Sequence, residues 1–303
     1  MGIFGGGYTK PGKGVDKNEP KKKGFFLFFD VLIHKFTKFL GANCLYTMTS
    51  IIWIALLYFF GGIILSGTGI VGRIAEAISA VDSEISAGEM QGSIMVMLQL
   101  AFAVGVFTLW GSGPASAAYS YVTRCFTRGE HTWVMSDGVD KFKENFKQGM
   151  FVVIADAVVL VFGINAAHFY YSLYTGTGSV VWMFLTYVVV LIFIIYTMMH
   201  PYLYQIMVTF ECKIGALYKN ALLITFAKLP GNVFTLAVSV AVLVLSFTFF
   251  NPVVAALFIA VFGLCITRYP CEFYAARVIE RSILKDMKEK QPKIEYIGEE
   301  EAE

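Results

Sequence analysis

The chain has 303 residues, of which 57% are hydrophobic and only 15% charged, with a mean hydropathy of +0.65. Soluble domains carry about 25% charged residues; here the charges are clustered and leave uncharged runs long enough to cross a bilayer. Composition therefore excludes an ordinary soluble domain and points to an integral membrane protein, and a formal net charge of +2 gives no reason to expect a nucleic-acid partner.

Residues 1–23, rich in Gly, Pro and Lys, read as a flexible basic arm. The GYTKPGKG run at Gly7–Gly14 falls short of a phosphate-binding loop, because no Ser or Thr follows the Lys and no strand precedes it. From Phe25 to Leu40 the apolar residues recur at helical spacing (Phe25, Phe28, Phe29, Leu32, Phe36, Phe39), with Lys35 and Lys38 off the stripe. That pattern predicts either an interfacial helix lying on the membrane or a helix packed on the inner face of the protein. Apolar runs then predict spans at about 45–65, 94–110, 151–171 and 180–199, the third ending in an aromatic belt of Tyr170, Tyr171 and Tyr174. Residues 66–91 are too polar to span; Ile74, Ile78, Val81 and Ile85 predict an external surface helix there.

No charge occurs between Lys228 and Arg268, far more chain than one ~30 Å crossing needs. Asn251-Pro252 supplies turn chemistry, so the run divides into spans at about 232–250 and 252–268, with Arg268 expected to snorkel to the headgroups. A charged helix continues from Glu272, and residues 291–303 form an acidic tail expected to be disordered. In this arrangement every one of the 24 Lys and Arg residues except Arg73 falls on one side. The positive-inside rule makes that side cytoplasmic. The expected fold is all-α: a polytopic bundle of six transmembrane helices with both termini cytoplasmic, plus amphipathic cytoplasmic and interfacial helices, residues 24–290 forming one membrane domain.

The stretch 113–149 carries its own order signals. Gly113-Pro114 opens a helix expected over 115–126 that stops at Arg128-Gly129. A second, amphipathic helix places Val139, Phe142 and Phe146 on one face, with Lys141, Lys143, Glu144 and Lys147 opposite. An apolar stripe must meet something. Lys141, Phe142, Phe146 and Lys147 are candidates for docking a partner, the alternative being that the stripe packs on residues 25–39 or 205–227 of the chain itself.

Chemistry has little to stand on. The five cysteines form no CxxC pair, and the four histidines no HExxH; no GxSxG occurs. No catalytic residue, cofactor or metal ligand is nominated, and enzymatic activity is not expected. Asp156 is the one carboxylate inside a predicted span, where burying a charge costs roughly 2.5–3.5 kcal/mol. It is the candidate intramembrane polar site, read either as part of a substrate or proton path or as a structural group bonded to a neighbouring helix or to Lys147. Asn165, nine residues on, points to the opposite face.

Gly113-Pro114-Ala115, Ala117-Ala118, Tyr121-Val122, Arg128-Gly129-Glu130 and the run Phe142–Gln148 form one block of motifs; Phe210, Lys219–Leu223 and Leu229-Pro230 form a second. On these the chain resembles the YesL-like family, bacterial membrane proteins classed as a domain of unknown function. Trp110-Gly111-Ser112 departs from the hydrophobic-Thr-hydrophobic run expected there. The resemblance implies a multi-pass protein of the bacterial cytoplasmic membrane tied to carbohydrate uptake, because such proteins are commonly encoded beside sugar ABC importers. It implies an accessory or regulatory role with importer subunits as partners; the lipid bilayer and a second copy of the chain are the other candidate partners. The competing reading is a small-molecule transporter or channel in its own right.

Overall fold

The structure is a computed structural model and describes residues 24–80 and 86–284. The expectations for the basic arm 1–23, for Val81 and Ile85, and for the acidic tail 291–303 lie outside these residues. Among the described residues every regular element is helical: α1 (Phe25–His34), α2 (Phe36–Thr68), α3 (Ile70–Ser79), α4 (Ala87–Leu109), α5 (Pro114–Arg128), α6 (Val134–Glu144), α7 (Phe146–Thr177), α8 (Val180–Met207), α9 (Ile214–Ala227) and α10 (Leu229–Phe249). The last, α11 (Pro252–Ser282), is one long helix interrupted by a π-helical turn at Ile259–Gly263.

Six of these, α2, α4, α7, α8, α10 and α11, are long and apolar enough to cross a membrane. Large apolar side chains along them face outward, among them Ile52, Phe59, Phe162, Phe184, Leu191 and Phe249. In water so much exposed apolar surface would drive aggregation; in a bilayer it is the surface lipid wets. The chain is a multi-pass helical membrane protein. At about 1.5 Å per residue, α2, α7 and α11, with 33, 32 and 31 residues, outrun a ~30 Å hydrocarbon core. Their extra turns project on the side where α1, α5, α6 and α9 lie, which is also the basic side. Arg73 sits at the other end, its guanidinium over the ring of Tyr171.

Local chemistry sets the boundaries. Pro114 starts α5, and Gly129, at φ 72°, ends it in the left-handed conformation a Cβ would strain. The Asn251 side chain accepts from the Val253 N–H at 3.0 Å and caps α11. Three expectations need correction. The stripe from Phe25 to Phe39 is not one interfacial helix: the chain breaks at Lys35 (φ −107°, ψ 12°), and Phe36 and Phe39 belong to α2. Phe28 and Phe39 pack on Tyr269, at ring-centroid distances of 5.0 and 4.7 Å, while Phe25, Phe29 and Phe36 stay exposed. Likewise, Val139, Phe142 and Phe146 do not share a helix. Asn145 leaves the helical conformation and its side-chain amide donates to the Lys141 carbonyl, ending α6, so Phe146 opens α7. The helix of the 66–91 segment, α3, is short; Val71 and Ala75 turn inward onto Ile94 while Ile78 is exposed.

The inner half is organised by α5, twelve of whose fifteen residues are buried. Small residues (Ala115, Ser116, Ala117, Ala118, Ser120) let α2, α7, α8 and α11 approach its backbone. The closest approach is at its start. A Cβ on Gly149 would lie 2.5 Å from the Pro114 nitrogen, and one on Gly113, at φ 65°, would lie 2.5 Å from the Gly149 carbonyl oxygen.

Sidedness is testable at described positions. In a background without native cysteines, Thr177→Cys in the α7–α8 turn is labelled from outside intact cells by an impermeant thiol reagent, and Gly215→Cys in α9 is labelled only after permeabilisation. The opposite pattern inverts the topology.

Candidate buried polar centre

The six-residue passage from Thr108 to Gly113 brings backbone carbonyls and N–H groups out of helical pairing in the interior, where each needs a partner. The sequence supplies them one by one. Trp53 Nε1 donates to the Gly111 carbonyl at 2.9 Å, the Ser112 N–H donates to Ser116 Oγ at 2.8 Å, and the Gly113 N–H donates to Tyr204 Oη at 3.2 Å. Ser112 and Ser50 hydroxyls meet at 2.5 Å. Gly111, at φ 97°, leaves the space that Ser116 Oγ and an Arg268 nitrogen occupy.

Arg268 is the charge at this turn. Instead of snorkelling to the headgroups, it is 3% exposed. Its Nη1 donates to the Thr108 carbonyl at 3.0 Å and to Tyr46 Oη at 3.4 Å, and its Nη2 meets Glu272 Oε1 at 3.0 Å. The guanidinium lies 5.3 to 5.8 Å from the ring centroids of Tyr46, Tyr119 and Tyr204, so three π faces share its charge. The other carboxylate oxygen of Glu272 accepts from Ser120 Oγ and Gln205 Nε2, both at 2.8 Å. Asp156 is therefore not the sole carboxylate within a long apolar helix. Burial of this pair is tolerable because each oxygen of Glu272 is answered. The register that aims Arg268 at α4 follows the π turn, whose Ala260 and Val261 carbonyls accept from Thr47 Oγ1 at 2.9 Å and Asn43 Nδ2 at 3.0 Å on α2.

Asp156 itself is 1% exposed. Its Oδ1 accepts from Tyr196 Oη at 2.7 Å and lies 3.0 Å from His200 Nε2; the neighbouring helix α8, rather than Lys147, provides its partners. His200 Nδ1 lies 2.8 Å from the Tyr196 carbonyl. A carbonyl only accepts, so Nδ1 bears hydrogen. Asp156 Oδ2 is buried with no hydrogen-bond partner. Trp110 stacks on His200 at 5.1 Å and donates its Nε1–H to Thr197 Oγ1 at 2.8 Å. Tyr204 joins the two groups: it faces Arg268, receives the Gly113 N–H, and its ring lies 6.3 Å from that of His200.

Little space lies beside Arg268. A cavity beside Arg268, lined by Thr108, Thr197, Tyr202, Asn232 and Thr267, measures about 20 Å³, whereas small-molecule sites run to about 300–1,000 Å³.

The four docking candidates separate. Phe142 is half-buried against the main core and, with Val139, Gly138, Leu45 and Tyr119, lines an apolar pocket of about 250 Å³. Lys141 is held by Glu144 at 2.5 Å and lies 5.2 Å from the Tyr121 ring centre. Phe146 and Lys147 are exposed. Of the cysteines, Cys125 and Cys265 are buried and the rest half-buried; burial pushes the Cys125 and Cys212 thiols up, toward the unreactive protonated form.

Residues 94–166 match the family model described as "Protein of unknown function, DUF624". The matched segment runs from α4 through the glycine turn, α5 and α6 into α7, and contributes Trp110, Ser116, Ser120 and Asp156 to the centre. Tyr46, His200, Gln205, Arg268 and Glu272 come from outside it. Searches of curated proteins and of solved structures gave no match.

Sequence reasoning singled out Asp156 but passed over its partner. His200 follows Tyr196 by one turn, yet nothing local tells which helix it faces. The Arg268–Glu272 pair had a readable signal, an i,i+4 pair of opposite charge directly after an uncharged run.

Removing one partner of this pair leaves the other charge buried and unanswered. Arg268→Ala should cost about 3–5 kcal/mol of stability, and Arg268→Met/Glu272→Leu much less. Thermal unfolding in detergent checks this; equal losses in the two variants would show that charge pairing is not what matters there.

Proposed function

We propose that this protein is an accessory component of carbohydrate uptake in a bacterial cytoplasmic membrane, working beside an ABC importer instead of conducting sugar itself. The single observation that carries the non-conducting part is the closure of the polar centre. The Arg268–Glu272 pair is answered by Ser120, Gln205, Tyr46 and the Thr108 carbonyl, and the cavity beside Arg268 measures about 20 Å³. The tie to carbohydrate rests on the resemblance of the Gly113–Gln148 and Phe210–Pro230 motifs to YesL-like proteins. Partner contact fits the basic side, where Phe146, Lys143 and Lys147 are exposed around the start of α7.

One observation favours the second reading, a small-molecule transporter or channel in its own right. Asp156 Oδ2 is buried and unpartnered, and an intramembrane carboxylate of this kind can take part in a proton path.

Purification of the tagged protein from its native membrane should recover an importer permease. The variant Lys143→Glu/Lys147→Glu, at normal abundance and topology, should lose it; retention defeats docking on this face. Proteoliposomes holding the protein alone should take up no more sugar than protein-free ones. Uptake by the protein alone, abolished in Asp156→Asn, would replace the accessory reading with the transporter reading.

A further inference from the structure

On the basic side, α1, α10 and the second half of α11 enclose a groove of about 580 Å³. Its two ends differ in chemistry. Tyr274 over Gly231 and the Ser239–Cys271 contact at 3.4 Å fix α10 and α11 as antiparallel neighbours. This places Lys228, at the entry to α10, level with Arg277 and Arg281, while Phe234, Val238 and Pro270 lie deeper toward the membrane. Lys228 is half-buried and Arg281 exposed. Arg277 donates from Nη1 to Glu280 Oε2 at 2.8 Å, and its Nε is buried without a partner. Among the described residues, three cations line the mouth, and one of them, Arg277, is paired with Glu280. Phe28 and Phe273 form the inner wall, and Phe25 and Phe234 remain 72% and 69% exposed at its edges. A polar ligand would leave these rings in contact with nothing, and a purely apolar one would leave the cations unanswered.

We propose that this groove holds one anionic phospholipid, its phosphate among Lys228, Arg277 and Arg281 and an acyl chain along Phe28, Phe234 and Phe273. The order of the two chemistries along the groove matches a lipid standing in the leaflet on the basic side. Basic groups at that leaflet surface attract anionic headgroups with about 1 kcal/mol each.

The test uses the full chain in detergent, titrated with phosphatidylglycerol, phosphatidylcholine or inorganic phosphate, and read by native mass spectrometry and thermal unfolding. Phosphatidylglycerol should bind as a single copy and raise the melting temperature; phosphatidylcholine should bind at least tenfold more weakly, and phosphate alone should do nothing. Lys228→Gln/Arg281→Gln, which leaves the Arg277–Glu280 pair intact, should weaken binding by about fivefold for each cation removed. Phe234→Ala should weaken both lipids. Lys143→Gln/Lys147→Gln, the same loss of charge elsewhere, should change nothing. Equal binding of both lipids, stabilisation by phosphate alone, or loss in the Lys143/Lys147 control overturns the proposal. So does a site that opens to lipid only when Glu299, Glu300 and Glu301 are changed to Gln, because the chain's own acidic segment would then be the occupant.

Discussion

A charged pair cannot be left unanswered inside a membrane bundle, and the rest of the inner half follows from how Arg268 and Glu272 are answered. They lie on one helix, 3.0 Å apart. Their partners come from four others: Tyr46 on α2, the Thr108 carbonyl on α4, Ser120 on α5 and Gln205 on α8. Each contact fixes one helix against α11. The π turn of α11 and the glycine turn before α5 are both local departures from α geometry. Both are found where side chains of neighbouring helices satisfy the freed backbone groups, the condition for irregular backbone at membrane depth.

Asp156 and His200 extend the same logic to α7 and α8. Asp156 accepts from Tyr196 and lies 3.0 Å from His200, so these contacts tie the two helices together. Trp110 lies flat on His200, and Trp110-Gly111-Ser112 is also where the sequence departs from the run expected of YesL-like proteins. In this chain all three residues contribute to the centre: the indole stacks, the glycine makes room for Arg268, and the serine meets Ser50.

How much of this could be read in advance depended on whether the signal was local. Span number came from uncharged length and the Asn251-Pro252 turn; the beginning and end of α5 came from Pro114 and Gly129. These depend on a few adjacent residues. What failed was pairing across helices. Arg268 sits at the end of an uncharged run, which looks like a membrane boundary, but its helix continues and α5 covers it. Phe142 and Phe146 keep helical spacing, yet the backbone leaves helical geometry at Asn145, between them, and splits the stripe. His200 gives no sign of its partner, because Asp156 lies 44 residues earlier on another helix.

The reading as a closed centre is what separates an accessory bundle from a conduit. It can be tested directly by placing a cysteine at Ser116, which is fully buried between Tyr46 and Ser112. With the native cysteines replaced and the protein in proteoliposomes, a small hydrophilic thiol reagent is added to one side at a time. The account predicts no labelling from either side while the protein remains folded. Labelling from both sides would mean that water reaches the centre across the membrane, and would contradict it.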